Sequence, residues 1–124
     1  MIIFMWSGPR NLSTALMRSF ENRDDTIVHD EPFYGYYLFK TQLNHPMKDE
    51  IISNYPIAQN EIIKNITTKQ KNKIYYQKHM THHIVKNTRI EWIKKGYNCF
   101  LIRHPSKVID SYIQKNTVRN INDI

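Results

Sequence analysis

A chain of 124 residues with 40% hydrophobic and 23% charged residues is sized and composed for one globular domain, not for an array or a disordered tail. No apolar run approaches the roughly 20 residues of a membrane span, and the first residues lack a basic leader and a small-residue cleavage site, so a cytoplasmic protein is expected. Net charge is +7, but the lysines crowd into the Asn/Thr/Gln-rich stretch Lys64 to Lys78 with no recognition motif beside them, which reads as solvated surface and not as a nucleic-acid or membrane face. The single cysteine, Cys99, excludes an internal disulfide and reads as a buried thiol.

In chain order, Ile2–Met5 is a short apolar run that predicts a buried strand. Leu12 to Asn22 follows with an apolar rhythm at Leu12, Ala15, Leu16 and Phe20, one face of a helix. Arg23-Asp24-Asp25 turns the chain into a β-branched second strand, Thr26–His29. Phe33–Thr41 is an aromatic helix, broken by Asn44-His45-Pro46. Lys48–Ile66 spaces Ile51, Ile52, Tyr55, Ile62, Ile63 and Ile66 by threes and fours, a helical pattern that Pro56 should interrupt or kink. Lys73–Gln77 is the third strand. Thr88–Lys95 is a helix stopped by Gly96. Tyr97–Ile102 is the fourth strand, and Pro105 opens a last helix carrying Val108, Ile109, Tyr112 and Ile113. The tail from Asn116 to Ile124 is polar and uncapped, which reads as a truncated frame or a fragment.

Strands alternating with helices predict a parallel sheet covered on both faces. Ligands of such sheets bind beyond the carboxyl ends of the strands. Each predicted exit carries polar chemistry: Ser7-Gly8-Pro9-Arg10, then Asp30-Glu31, Lys78-His79 and Arg103-His104. The first exit joins a strand, a Gly-Pro loop with a cation and hydroxyls, and a helix start, where backbone N–H groups and the helix dipole favour an anion. It is not the nucleotide-hydrolase loop Gly-x-x-x-x-Gly-Lys-[Ser/Thr]. Counted from Gly8, the second glycine's place holds Ser13, the lysine's holds Thr14 and the magnesium-binding hydroxyl's holds Ala15. What remains is a forked cation with donors and no metal ligand, which suits a sulfuryl group better than a more highly charged phosphoryl group.

Pro9-Arg10-Asn11-Leu12-Ser13-Thr14 resembles the 5′-phosphosulfate loop of sulfotransferases, usually Pro-Lys-Ser-Gly-Thr-Thr. The similarity continues through Asp30-Glu31-Pro32-Phe33-Tyr34, Tyr76-Gln77-Lys78-His79-Met80 and Leu101-Ile102-Arg103-His104-Pro105. It covers nearly all of this chain, and the chain covers about the first half of such a protein. The resemblance implies a P-loop NTPase-like three-layer α/β sandwich, with about four parallel strands in one partial domain over residues 1–124.

It also implies 3′-phosphoadenosine 5′-phosphosulfate as co-substrate and no metal. Arg10, Asn11, Leu12, Ser13 and Thr14 would hold its phosphosulfate, and Arg103 with Ser111, eight residues on, its 3′-phosphate. In many sulfotransferases a Lys and a nearby His follow the third strand. Lys78 would steady the bridging oxygen, and either Glu31 or His79 would take the proton of a small-molecule or sugar-like acceptor. Lys78 and His79 are adjacent where the family spaces them by one, and adjacent strand residues point to opposite faces. Tyr34, Tyr36 and Tyr37 are candidate acceptor-pocket residues. His79, His82 and His83 form a possible metal cluster, but no fourth ligand accompanies them and no metal is expected. Two rivals remain: a P-loop kinase of small molecules, and a non-catalytic nucleotide-binding remnant.

Overall fold

A computed structural model describes residues 1–115, and the polar tail lies outside the described residues. The strands are β1 Ile2–Ser7, β2 Thr26–Asp30, β3 Ile74–Met80 and β4 Tyr97–Leu101. The helices are α1 Ser13–Glu21, α2 Tyr34–Thr41, α3 Lys48–Asn54, α4 Gln59–Thr67 and α5 Pro105–Lys115. The strands form one parallel sheet in the order β2-β3-β1-β4. All four carboxyl ends therefore open on one edge. β1 is central: the connection leaving it crosses to the β2 side, and β4 joins on its other side. The carboxyl end of such a strand is where an open α/β sheet leaves a crevice.

Strand alternation divides the side chains between the two faces. Phe4 and Trp6 of β1 share a face with Gln77 and His79 of β3, their register partners. That face is covered by Phe33, Tyr36, Ile62, Ile66 and Trp92, which with Phe4, Trp6, Ile2 and Tyr75 make one buried cluster. On the opposite face Tyr76 stacks on Phe20 of α1, ring centroids 4.3 Å apart. The result is a three-layer α/β arrangement around a parallel sheet. Gly96 lets the chain turn tightly into β4: a Cβ there would lie 2.8 Å from the Ile2 carbonyl oxygen and 2.9 Å from the Phe4 ring.

Several expected elements differ. The helical stretch over Lys48–Ile66 is interrupted at Pro56, as its proline allows, into α3 and α4 rather than kinked. Tyr55 is extended (φ −111°, ψ 147°), because the residue before a proline is pushed out of the helical region by the ring of Pro56. Only α4 buries apolar residues, Ile62 and Ile66. The helix expected over Thr88–Lys95 shrinks to a 3-10 turn, Glu91–Lys95. Asn87 is left-handed (φ 69°), and the Arg89 N–H donates to Gln59 Oε1 at 2.8 Å instead of entering a helical ladder. In α1 the buried side chains are Ser13 and Met17, while Leu12 precedes the helix and is exposed. Cys99 is partly exposed rather than buried, since β4 is an edge strand.

Candidate functional site

β1 runs into the crevice through buried Ser7, whose hydroxyl donates to Met80 Sδ at 3.7 Å. The loop that follows holds two left-handed residues, Arg10 and Leu12, both with φ 62°, on either side of Asn11. Such alternation of hand turns successive backbone N–H groups toward one concave side, the geometry of an anion nest. Leu12 is the N-cap of α1 and supplies no side-chain capping bond. The N–H groups of the first helical turn are thus left to whatever sits in front of them. Leu12 stands where sulfotransferases carry glycine, and its left-handed backbone costs about 1–2 kcal/mol that glycine would avoid.

The exit of β4 closes over this loop. Arg10 Nε donates to Ser111 Oγ at 2.7 Å, and Arg103 Nη1 donates to the Arg10 carbonyl at 2.9 Å. Arg10, Asn11, Leu12, Ser13, Thr14, Arg103 and Ser111 line one cavity of about 220 Å³, with Ala15 completing its wall. Every residue expected to hold the nucleotide borders that cavity, although the sequence places the loop and the Arg103–Ser111 segment far apart. Among the described residues no carboxylate borders it. Its volume lies below the roughly 300–1,000 Å³ of pockets that enclose a whole ligand, so it has room for a small group rather than an entire ligand.

Lys78 and His79 are not beyond the third strand but inside it, because β3 stays paired with β1 as far as Met80. They diverge as adjacent strand residues must. Lys78 Nζ reaches Glu31 Oε1 at 2.7 Å and Asp30 Oδ1 at 3.0 Å. Burial pulls the Lys78 ammonium down, but its hydrogen bonds to Glu31 and Asp30 outweigh that and leave its pKa raised. Glu31 is left-handed (φ 46°), and its N–H donates to the Lys78 carbonyl at 3.0 Å, one step beyond the end of β2. This turn is what folds the Glu31 carboxylate back onto Lys78.

His79 points to the other face. It is 2% exposed and ringed by Phe4, Trp6, Phe33 and Trp92. Its Nε2 meets Gln77 Oε1 at 3.1 Å. Burial, helped by His29 and His83, drops its pKa to about 3, so it is neutral. The structure therefore brings Lys78 and Glu31 together and sets His79 apart from both.

The aromatic residues after Glu31 also part company. Tyr36 is core. Tyr34 and Tyr37 sandwich His83, with centroids 5.1 and 4.9 Å away, and Tyr34 Oη meets His45 Nε2 at 2.7 Å. His83 is buried with no hydrogen-bond partner at Nδ1, and burial lowers its pKa to about 3. Among the described residues no three His, Cys, Asp or Glu side chains lie close enough to hold a metal ion. The sandwich was hidden in the sequence, since it joins residues more than 40 positions apart. Only the His82-His83 pair hinted at it.

The fold is a parallel α/β domain with a loop-lined cavity beyond the carboxyl end of β1. Residues 1–124 match the family described as Sulfotransferase domain, and the chain belongs to that family. It is also 36% and 35% identical, over 112 residues, to two Arabidopsis thaliana proteins described as branched-chain-amino-acid aminotransferase-like protein 2 and 1. The match takes in 90% of this chain, which spans about 20% of the length of those relatives. No solved structure matches the chain. No helix among the described residues is long and apolar enough to cross a membrane.

Proposed function

We propose that the chain binds 3′-phosphoadenosine 5′-phosphosulfate and takes part in sulfuryl transfer to an acceptor hydroxyl or amine. The observation that carries this reading is a cavity lined by both the Arg10 loop and the Arg103–Ser111 segment. Its lining fits the anionic groups of the donor: two guanidinium forks, hydroxyls and helix-start N–H groups, with no opposing carboxylate among the described residues. When bound, the donor supplies the sulfuryl group and leaves as adenosine 3′,5′-bisphosphate.

In this reading Arg10 and the loop N–H groups hold the 5′ end with Ser13 and Thr14, while Arg103 and Ser111 hold the 3′-phosphate. Lys78 offsets negative charge on the leaving oxygen. Glu31 takes the acceptor's proton, a role that its place beside Lys78 supports and that the enclosed imidazole of His79 is badly sited to share. Ala15 in the cavity wall speaks against a magnesium-dependent kinase, which needs a hydroxyl at that position. Calorimetric titration with adenosine 3′,5′-bisphosphate tests the reading. Saturable one-to-one binding supports it, and a titration without binding heat at several temperatures overturns it.

A further inference from the structure

A second groove opens in the helical layer that covers the Trp6 face, and it shares no lining residue with the Arg10 cavity. Its volume is about 420 Å³, within the roughly 300–1,000 Å³ range of small-molecule sites. α2 gives it Tyr36, Phe39 and Lys40, the i, i+3 and i+4 positions of one helix face. The start of α4 gives it Gln59 and Asn60, and the loop before β4 gives it Arg89.

Arg89 is fixed at this groove from several sides. Its N–H donates to Gln59 Oε1 at 2.8 Å, its guanidinium Nη2 donates to Asn60 Oδ1, and its carbonyl accepts from Trp92 Nε1 at 2.7 Å. The neighbouring Thr88 hydroxyl is hydrogen-bonded to Tyr36 Oη at 3.1 Å, which ties the same loop to α2. The bond to Asn60 occupies one of the five guanidinium N–H groups and leaves the others to a ligand. Lys40 Nζ lies 6.0 Å from the Tyr36 ring centroid, a cation–π contact that keeps the ammonium at the aromatic wall. Among the described residues no Asp or Glu borders the groove, and neither Lys40 nor Arg89 pairs with a carboxylate.

Two cations therefore border one groove with no opposite charge beside them. We propose that this groove binds a small organic carboxylate with an apolar body, at a site separate from the Arg10 cavity. The cations set the sign of the ligand. The planar fork of Arg89 matches the two oxygens of a carboxylate, and Lys40 adds a second positive charge. The rest of the wall sets the body: Phe39 is 42% exposed, and Ile57 and Ala58 bring no polar side chain. A bare inorganic ion would fill a small part of the groove and leave these apolar groups in water.

The probe is benzoate, followed through the Trp92 indole N–H signal in the ¹⁵N-labelled full chain. Acetate carries the charge without the body, benzyl alcohol the body without the charge, and inorganic phosphate the charge of a nucleotide end. The expected result is a saturable shift with benzoate, and binding of the other three weaker by about tenfold or more. Arg89→Gln should weaken benzoate binding by about tenfold, as loss of a charged hydrogen-bond donor does. Lys40→Met should weaken it by a smaller factor. Both side chains are exposed, so the fold should tolerate either change. A non-saturating response to benzoate, an equal response to any of the other three compounds, or indifference to both substitutions overturns the proposal. Adenosine 3′,5′-bisphosphate added to the benzoate complex should leave benzoate in place, and displacement overturns the claim of a separate site. Benzoate binding in a chain that binds no nucleotide supports this site and removes only the donor reading.

Discussion

Arg10 Nε donates to Ser111 Oγ over 2.7 Å, so the loop after the first strand and the helix after the last are tied side chain to side chain across 101 positions. The Arg103 bond to the Arg10 carbonyl doubles the tie. Two segments that each bring donors are thereby held around one cavity before any ligand arrives, and pre-organised donors lose less on binding.

Ser111→Ala removes one hydroxyl and one hydrogen bond to a charged group, so it should lower stability by about 1–2 kcal/mol. Binding of adenosine 3′,5′-bisphosphate should fall more than binding of adenosine 5′-monophosphate, because the serine is assigned to the 3′ group. Thermal melts and paired titrations check both. Equal losses for the two nucleotides would remove Ser111 from the 3′ site.

Leu12 is 62% exposed and left-handed, so glycine there gives up little packing and relieves backbone strain. Leu12→Gly should be stabilising by up to about 1 kcal/mol, the strain relief offset in part by glycine's greater unfolded entropy. Leu12→Val, β-branched and therefore less at ease with a positive φ, should be destabilising. Chemical denaturation of the three proteins measures the order.

Acid should unfold this protein through its buried imidazoles. His79 and His83 have pKa values lowered to about 3 from an ordinary 6.5. Between those values the unfolded chain binds more protons than the folded one. Stability is therefore full above about pH 6.5 and falls as pH drops toward 3, by up to about 1.4 kcal/mol per pH unit for each histidine. His79→Gln should lose stability at pH 7, where its aromatic contacts are missed, yet show a shallower acid limb. An acid limb as steep as that of the unaltered protein would contradict the assignment.

Glu31→Gln keeps the shape of the Lys78 partner and removes its basicity. Under the proposed chemistry it should cut sulfuryl transfer by about 10²–10⁴-fold, while adenosine 3′,5′-bisphosphate binds as before. Transfer that survives the change would move the base elsewhere.

Much of the site was legible because its signals are local. A strand, a loop with Gly8 and Arg10, and a helix start can be read from neighbours, as can the Arg103-to-Ser111 spacing. The parallel sheet followed from the alternation of elements. What escaped depends on distant partners. β3 extends past Gln77 because β1 holds it in register to Met80, and this puts Lys78 and His79 inside a strand and on opposite faces. The buried side of α1 uses Ser13 and Met17, with Leu16 and Phe20 half-buried beside them and Leu12 left out in front of the helix. The stack of His83 between Tyr34 and Tyr37 joins elements that only the fold brings together. The break at Tyr55 was written locally in Pro56, whose effect is to end a helix rather than bend it.

The central claim is that the Arg10 loop and Arg103 serve one donor site, and a double-mutant cycle tests it most directly. Adenosine 3′,5′-bisphosphate is titrated by calorimetry into the unaltered protein, Arg10→Ala, Arg103→Ala and the double variant. The account predicts that each single change weakens binding about 10–100-fold, as loss of a charged hydrogen-bond donor does. It also predicts that the two losses are non-additive by about 0.5–3 kcal/mol, as expected of groups that touch. Binding that is absent in the unaltered protein, or losses that simply add, would contradict it.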